Sequence, residues 1–502
     1  MQTRSLYFIP LLLHLSATIF SMDIPATIPL TSTEISLSHS HLAQRFTRDG
    51  RREQKEGNYE QALEKLHLAL LADPYAIDPW RYCGEIALKI DRPHDAITYL
   101  GHAITLDPNH TQTLFALANA YHEIGNLTKA ISLYQQLYDQ HPNHPVIIYN
   151  YAYVLKKHDQ VSQAIPYYLK SLDLKPDYAD AHFGLSLAYL ALGDFKKGWK
   201  EYEWRWAAYH EQPKTFHQPV WDGSEISGKR IFVYAEQGLG DTFQFMRYLK
   251  LLKDRGAYVI FQAQKPLKTL LTLCPYIDVL ITEDSEIPPF DTYCALMSLP
   301  YAFGTHLESV PADIPYVYAR ESLVNHWKEC LACDNAIKIG ICWQGNAFYT
   351  NQSIRRAVAA KSLPVTTLAP LTQVPGVHFY SLQKMNGEEQ LANLPQEFQV
   401  TTFNNIDEEH GRFMDTAAII KNLDLVITVD TSIAHCAAAL GTPVWILLPK
   451  PADWRWILER TDTPWYPDMR LFKQKDSGNW NHVIDDIQQA LREFVAQKKE
   501  QQ

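Results

Sequence analysis

An all-α repeat array followed by two open α/β units is the fold class this sequence predicts, and three observations predict it. Small residues recur at a spacing of 34 through the first part of the chain, at Ala62, Ala96, Ala130, Ala164 and Gly198. After Trp221-Asp222-Gly223 the texture changes to short apolar runs that alternate with helical stretches, the pattern of buried parallel strands joined by helices. That alternation starts afresh near Ile337, so the second half holds two such units facing a cleft.

Composition bounds what the chain can do. Its 502 residues suit about three folding units, and a hydrophobic fraction of 46% is enough for packed cores. The formal charge of -10, from 46 basic and 56 acidic residues, argues against a general nucleic-acid binder, which needs a basic face. The seven cysteines (83, 274, 294, 330, 333, 342 and 436) are odd in number and scattered, unlike a disulfide framework. Cys330 and Cys333 form one Cys-x-x-Cys, but a zinc site needs a second ligand pair at suitable spacing. The plainer expectation is one turn of a connecting helix.

The N-terminus needs separate treatment. Arg4 precedes a mostly apolar run from Leu6 to Phe20, shorter than the about 20 residues of a membrane span. Its charge and length resemble a signal peptide, but Ile19-Phe20-Ser21 makes a poor cleavage site and Met22 offers a second start. The expectation is an uncleaved or artefactual tail on a cytoplasmic protein, with export or membrane association through residues 1–21 as the alternative. The stretch from Asp23 to Ser40 is rich in Ser, Thr and Pro and reads as a linker. The boundaries expected are 1–40 for this segment, 41–210 for the repeats, 221–322 for the first α/β lobe and 335–498 for the second.

Two further position classes share the period of 34: Pro74, Pro108, Pro142 and Pro176, and Gly57, Asp91, Gly125, Asp159 and Gly193. The small residue belongs where the two helices of a repeat approach closely, and the Gly or Asp in the turn between them. The Pro follows the second helix, which it ends by removing a donor. Tyr121, Leu155 and Tyr189 are in register and expected to fill the gap toward the neighbouring repeat. With Gly125-Asn-Leu-Thr-Lys-Ala-Ile131 and Leu106-Asp-Pro-Asn109, the chain from about Leu42 to Tyr209 resembles the tetratricopeptide family. The resemblance implies a stacked solenoid whose groove holds a peptide or partner protein, or which serves as a scaffold or dimerisation surface.

In the second half, Lys229–Ala235 and Tyr258–Gln262 read as strands flanking Gln237-Gly-Leu-Gly-Asp241 and a helical stretch from Thr242 to Arg255, the opening of a doubly wound sheet. Ile337–Trp343, Val377–Leu382, Asp424–Val429 and Pro443–Leu448 read as further strands, with a helix from Ile433 to Leu440. A last helix, Val483–Ala496, is expected to pack back across the lobes. The Gly238-Leu-Gly240 turn is no dinucleotide fingerprint, because Phe243 stands where the third glycine is required. No Walker sequence is present.

Two places carry candidate chemistry. Asp241 stands at the mouth of a helix, as its N-cap or as a general base acting on an acceptor hydroxyl; the helix N-terminus keeps it ionised. At Asp430-Thr-Ser-Ile-Ala-His435 a strand ends and a helix begins with two hydroxyls and free backbone N–H groups, the makings of a diphosphate site. There Asp430 can accept hydrogen bonds from sugar hydroxyls, and His435 lies one turn further on. The plain alternative is a capped core helix.

Gly238-Leu-Gly-Asp241, with Asp430, Thr431, His435, Ala438, Gly441 and Pro443 in the second lobe, makes the stretch from about Trp221 to Val483 similar to the heptosyltransferase-like glycosyltransferases, which have the GT-B fold of two Rossmann-like lobes. The likeness is closer to bacterial proteins that fuse tetratricopeptide repeats to this domain. It rests on Ala235-Glu-Gln-Gly-Leu-Gly-Asp241, Trp343-Gln-Gly-Asn346, Asp415-Thr-Ala-Ala418, Asp453-Trp-Arg-Trp456 and Thr463-Pro-Trp-Tyr-Pro467. It implies sugar transfer from a nucleotide diphosphate donor. Simple heptosyltransferases carry no repeats and tend to have a Pro after the Gly-Asp pair, where this chain has Thr242-Phe-Gln-Phe-Met-Arg247; a different acceptor is expected. There is no Asp-x-Asp metal clamp, so phosphate charge falls to helix dipoles and cations. Lys361, in Lys361-Ser-Leu-Pro364, matches a basic position of the family motif.

The expectation is a metal-independent, inverting glycosyltransferase with no cofactor beyond its nucleotide-sugar substrate. Asp241 would be the base, while Thr431, Ser432 and Lys361 would hold the diphosphate. Asp430 and His435 would hold the sugar or order the site. Gly238 and Gly240 would shape the first-lobe turn, Gln383 would reach the donor from the cleft edge, and the repeats would present the acceptor. The rival expectation is a repeat scaffold with a degenerate nucleotide-sugar-binding domain.

Overall fold

The computed structural model describes residues 32–331, 336–348, 350 and 352–500. The chain starts with α1 (Ser32–Glu56), α2 (Tyr59–Ala72), α3 (Ile77–Lys89), α4 (Pro93–Leu106), α5 (Thr111–Glu123), α6 (Leu127–Gln140), α7 (Pro145–Lys157), α8 (Val161–Leu174), α9 (Ala179–Ala191) and α10 (Phe195–Tyr202). The position class read as inter-helix turns is left-handed throughout, with φ of 84° at Gly57, 61° at Asp91, 76° at Gly125, 67° at Asp159 and 80° at Gly193. Gly adopts this conformation freely, and Asp is among the residues that tolerate it. Ala62, Ala96, Ala130 and Ala164 are fully buried. At Gly198 an added Cβ would come within 2.6 Å of the Leu190 side chain, so the residue there must be the smallest one.

The linker expected at 23–40 ends sooner than its composition suggested, because α1 already begins at Ser32. Ser and Thr are favoured at helix starts as well as in linkers. The apolar run Leu6–Phe20 and Met22 lie outside the described residues. None of the described helices is long and apolar enough to cross a membrane.

Two compact units divide between Asp177 and Tyr178. The first holds α1–α8. In the second, α9 and α10 are built into the core of the α/β half. Phe195, Trp199 and Tyr202 are buried with Phe245, Trp454 and Trp465, and the Trp199 ring meets Trp454 at 5.4 Å and Phe245 at 6.0 Å, both edge-on. Such aromatic pairs add to the burial of large apolar area. A short helix, α11 (Arg205–Ala208), follows.

The first lobe is a parallel sheet of β1 (Arg230–Tyr234), β2 (Tyr258–Gln262), β3 (Val279–Ile281) and β4 (Thr292–Ala295), ordered β3-β2-β1-β4. The helix expected over 242–255 is two, α12 (Leu239–Phe245) and α13 (Arg247–Asp254), with Met246 between them. The second lobe has β5 (Ile337–Cys342), β6 (Val377–Ser381), β7 (Val400–Thr401), β8 (Leu425–Val429), β9 (Val444–Leu448) and β10 (Met469–Lys473), all parallel and ordered β10-β9-β8-β5-β6-β7. Its helices are α14 (Glu321–Cys330), α15 (Gln352–Lys361), α16 (Met414–Lys421), α17 (Ser432–Ala439) and α18 (Asn481–Glu500).

The chain reaches the second lobe before residue 322. The Tyr316 and Val317 N–H groups donate to Ala439 O at 3.0 and 3.2 Å, and Trp327 Nε1 on α14 donates to Asp415 on α16 at 3.0 Å. The last helix does not cross back over both lobes. Its apolar stripe, Val483, Ile484, Ile487, Leu491 and Val495, packs with Ile339, Ile427, Trp445 and Leu447 of the second sheet. That stripe matches one sheet face, and α18 stays on it.

Candidate functional site

A cavity of about 1280 Å³ opens in the second unit, and all nine residues singled out from the sequence line it. It lies past the carboxyl ends of β1 and β8, the place where open parallel sheets bind ligands. Two helix starts meet there. A Cβ on Gly240, in the first turn of α12, would fall 3.1 Å from His435 Cδ2 and 3.6 Å from Ser432 Cα in the first turn of α17. The glycine is thus needed for close approach. The left-handed residue of this turn is Gln237, with φ of 60°.

Asp241 is not the N-cap of α12. Gly238 occupies that position, and its N–H donates to Asp241 Oδ2 at 2.8 Å from three residues back. The other carboxylate oxygen accepts from Arg455 Nη2. Arg455 also donates from Nε to Gln244 Oε1 and from Nη1 to Asp453 Oδ1, each at 2.8 Å, and its guanidinium lies 4.6 Å from the centre of the Trp454 ring. Burial pushes the Asp241 carboxyl above its ordinary value, while Arg455 and the Gly238 N–H pull the other way.

Across the cavity, Thr431 is the N-cap of α17 with extended backbone. Its hydroxyl lies 3.4 Å from Thr428 Oγ1 and 3.9 Å from Cys342 Sγ. Asp430 sits between two bases: Lys361 Nζ is 3.8 Å from Oδ2, and His435 Nε2 is 3.9 Å from Oδ1. Lys361, the last residue of α15, is half-buried and faces this carboxylate, so it is no freely solvated surface lysine. His435 is buried, with Nδ1 2.9 Å from Tyr466 Oη and its ring stacked on Trp456 at 5.5 Å. Burial first, then the charges of Arg455, Arg247 and Lys361, hold it far below the usual histidine value, so it is neutral at pH 7.

Gln383 is at the cavity edge, but its amide is engaged by the backbone. Oε1 accepts from the Trp343 and Gln344 N–H groups at 3.0 Å each, and Nε2 donates to Gln344 O at 3.0 Å and Asn386 O at 2.6 Å. Its role here is to brace the Trp343-Gln-Gly-Asn346 turn; the expected reach toward a donor is not where its polar atoms point. The Asp415-Thr-Ala-Ala418 stretch is likewise a brace: Asp407 accepts from the Asp415 and Thr416 N–H groups at 2.8 and 3.0 Å, and Asp415 returns a bond to the Asp407 N–H at 2.9 Å.

Residues 338–447 match the model of glycosyltransferase family 9 (heptosyltransferase), and residues 87–147 and 149–202 match tetratricopeptide-repeat models. The chain is a tetratricopeptide-repeat array joined to a family 9 glycosyltransferase domain. It is similar to Protein FlbA of Caulobacter vibrioides, at 24% identity over 88% of this chain and 83% of that protein. It is also similar to the tetratricopeptide repeat-containing protein trd-1 of Caenorhabditis elegans, at 25% identity over 32% of this chain and 20% of that one. Among solved structures, MamA from Desulfovibrio magneticus RS-1 aligns at 17% identity and a TM-score of 0.32, over 34% of this chain and 97% of its own. YrrB, a TPR protein with an unusual peptide-binding site, aligns at 13% identity and a TM-score of 0.30, over 33% and 86%.

The family 9 domain match begins at β5 and ends within β9, so it contains Lys361, Asp430, Thr431, Ser432 and His435 but neither Asp241 nor Arg455. Sequence reasoning did not single out Arg455 as a site residue. The one signal for it was its place in Asp453-Trp-Arg-Trp456. It also did not anticipate the buried Arg205, whose fork grips Glu236 at 2.9 and 2.8 Å and ties α11 to the end of β1. Among the described residues no group of three or more His, Cys, Asp and Glu side chains is placed to hold a metal ion. Cys330 is exposed, 3.6 Å from His326 Nε2, and Cys333 lies outside the described residues.

Proposed function

We propose that this protein is a metal-independent, inverting glycosyltransferase that takes a sugar from a nucleotide diphosphate donor and passes it to an acceptor recruited by the repeat array. One observation carries the reading: the carboxylate of Asp241 and the N-terminus of α17 line the same cavity, brought together by the Gly240–His435 approach. The donor diphosphate binds at the N-terminus of α17, with Thr431, Ser432 and Lys361 as its ligands. Asp430 accepts from sugar hydroxyls, and neutral His435 holds that corner of the site. Asp241 takes the proton of the acceptor hydroxyl; the acceptor oxygen bonds to the anomeric carbon. The bond from that carbon to the phosphate oxygen breaks, its electron pair leaving on the nucleoside diphosphate. One displacement inverts the anomeric centre. The tetratricopeptide repeats support a protein or peptide partner, and a nucleotide-sugar donor suits a cytoplasmic location.

The Asp241–Arg455 pair favours a second reading, in which a neutralised carboxylate leaves a binding domain without a base. The Asp241→Asn variant separates the two. Sugar transfer measured over a panel of nucleotide sugars should fall about 10²–10⁴-fold with donor binding not weakened. Turnover within a few-fold of wild type removes Asp241 from the mechanism.

A further inference from the structure

Two of the cations that line the cavity are each held by a carboxylate that the proposed function needs for something else. Arg455 is bonded to Asp241, and Lys361 stands 3.8 Å from Asp430. Both line the same cavity as Ser432 and His435 at the start of α17. Arg455 is anchored apart from Asp241 by Asp453 and Gln244. The loop that carries it is pinned in turn: Lys473 Nζ donates to Trp456, Ile457 and Leu458 O at 3.1, 2.5 and 2.8 Å. Leu458 N–H bonds Ala191 O at the end of α9 at 2.9 Å. This bracing keeps Ile457 at φ of 41°, a conformation a β-branched side chain disfavours. The guanidinium is therefore presented by a fixed scaffold, while its bond to Asp241 is one contact of several.

We infer that Arg455 is a second cationic ligand of the donor diphosphate, and that binding is a counter-ion exchange in which the diphosphate takes Arg455 and Lys361 from Asp241 and Asp430. The inference rests on the proposed donor site at α17. A guanidinium fork suits phosphate oxygens as well as it suits a carboxylate, and a diphosphate offers more charge than one carboxylate. The exchange links substrate binding to base strength. With its bond to Arg455 given up, Asp241 keeps the Gly238 N–H but is left with Asp453 and Asp430 as like charges, with the Tyr202 and Tyr209 hydroxyls nearby. Its affinity for a proton rises, toward the range where a carboxylate works well as a base. The acceptor meets a strong base only when donor is in place.

The test uses full-length protein titrated calorimetrically with ADP, GDP, UDP and dTDP. Arg455→Gln should weaken the nucleotide that binds at least tenfold, and Arg455→Lys should restore part of the loss. Asp241→Asn should tighten it a few-fold, because Arg455 loses its competitor; a merely structural aspartate would give weaker binding. Wild type should take up a proton on binding at mildly acidic pH, read from buffers of different ionisation enthalpy, and Asp241→Asn should not. If Arg455→Gln does not fold, the Asp241→Asn affinity and the wild-type proton uptake decide. Unchanged affinity in Arg455→Gln, or no tightening and no proton uptake where Arg455→Gln cannot be read, overturns the exchange while leaving a wild type that transfers sugar as a glycosyltransferase. Failure of wild type to bind any of the four overturns the donor site and the exchange together.

Discussion

Gly240→Ala sets two effects of opposite sign against each other, and the structure decides which wins. Alanine is the better helix former by about 0.5–1 kcal/mol, and φ at Gly240 lies outside the left-handed region, so the backbone would accept the change. The new methyl would, however, sit 3.1 Å from His435 Cδ2, several tenths of an ångström inside ordinary contact. The imidazole cannot turn aside, since it is fixed between Tyr466 Oη at 2.9 Å and the Trp456 ring. The helix starts must then separate, an overpacking cost of about 1–3 kcal/mol. The net is a loss of up to about 2.5 kcal/mol. The larger consequence is functional: moving the start of α12 from that of α17 opens the proposed diphosphate site, and nucleoside diphosphate affinity should fall about tenfold, or about 1.4 kcal/mol. Thermal or denaturant unfolding measures the first and titration calorimetry the second. A variant as stable as wild type, or more so, with unchanged affinity would show that the helix starts do not meet as described.

Three further outcomes are expected. Lys361→Ala should weaken nucleoside diphosphate binding by about 1.5–3 kcal/mol, the range for a charged hydrogen bond; unchanged affinity by calorimetry would limit Lys361 to its pairing with Asp430. Neutral His435 resists a proton that the unfolded chain takes up near pH 6.5. Its contribution is thus constant above that pH, and stability is lost as pH falls below it, by up to about 1.4 kcal/mol per pH unit. His435→Gln should flatten the acid limb of a stability-against-pH series, and an identical slope would refute a buried neutral imidazole. A fragment ending at Asp177 should be soluble and helical, while one ending at Tyr209 should aggregate, because Phe195, Trp199 and Tyr202 lose the partners that bury them; a longer fragment that stays monomeric would refute this.

The sequence alone determined what short-range chemistry can encode. The period of 34 names residues that a left-handed turn, a close helix approach and a helix stop each demand within one repeat, so α2–α10 were legible from spacing. Strands β1, β2, β5, β6, β8 and β9 were legible because each is a run of five or six mostly apolar residues. Strand β10 has the same length, but it was missed along with the very short β3, β4 and β7; their places come from parallel partners far off in the chain. Eight of the nine site residues could be named from a strand end or helix start with its own local signature, and Lys361, at the end of α15, from its match to the family motif. Tertiary structure decided what those residues meet. Arg455 and Asp241 are 214 residues apart, and no local pattern announces that a guanidinium closes on that carboxylate. Gln383 looks free in sequence and is engaged by backbone groups on another loop. The repeat register runs on through Gly198, yet α9 and α10 belong to the second unit, because Trp199 finds its aromatic partners there. Periodicity fixes how a helix packs on its sequence neighbours; the burial of large side chains against distant ones fixes where a unit ends.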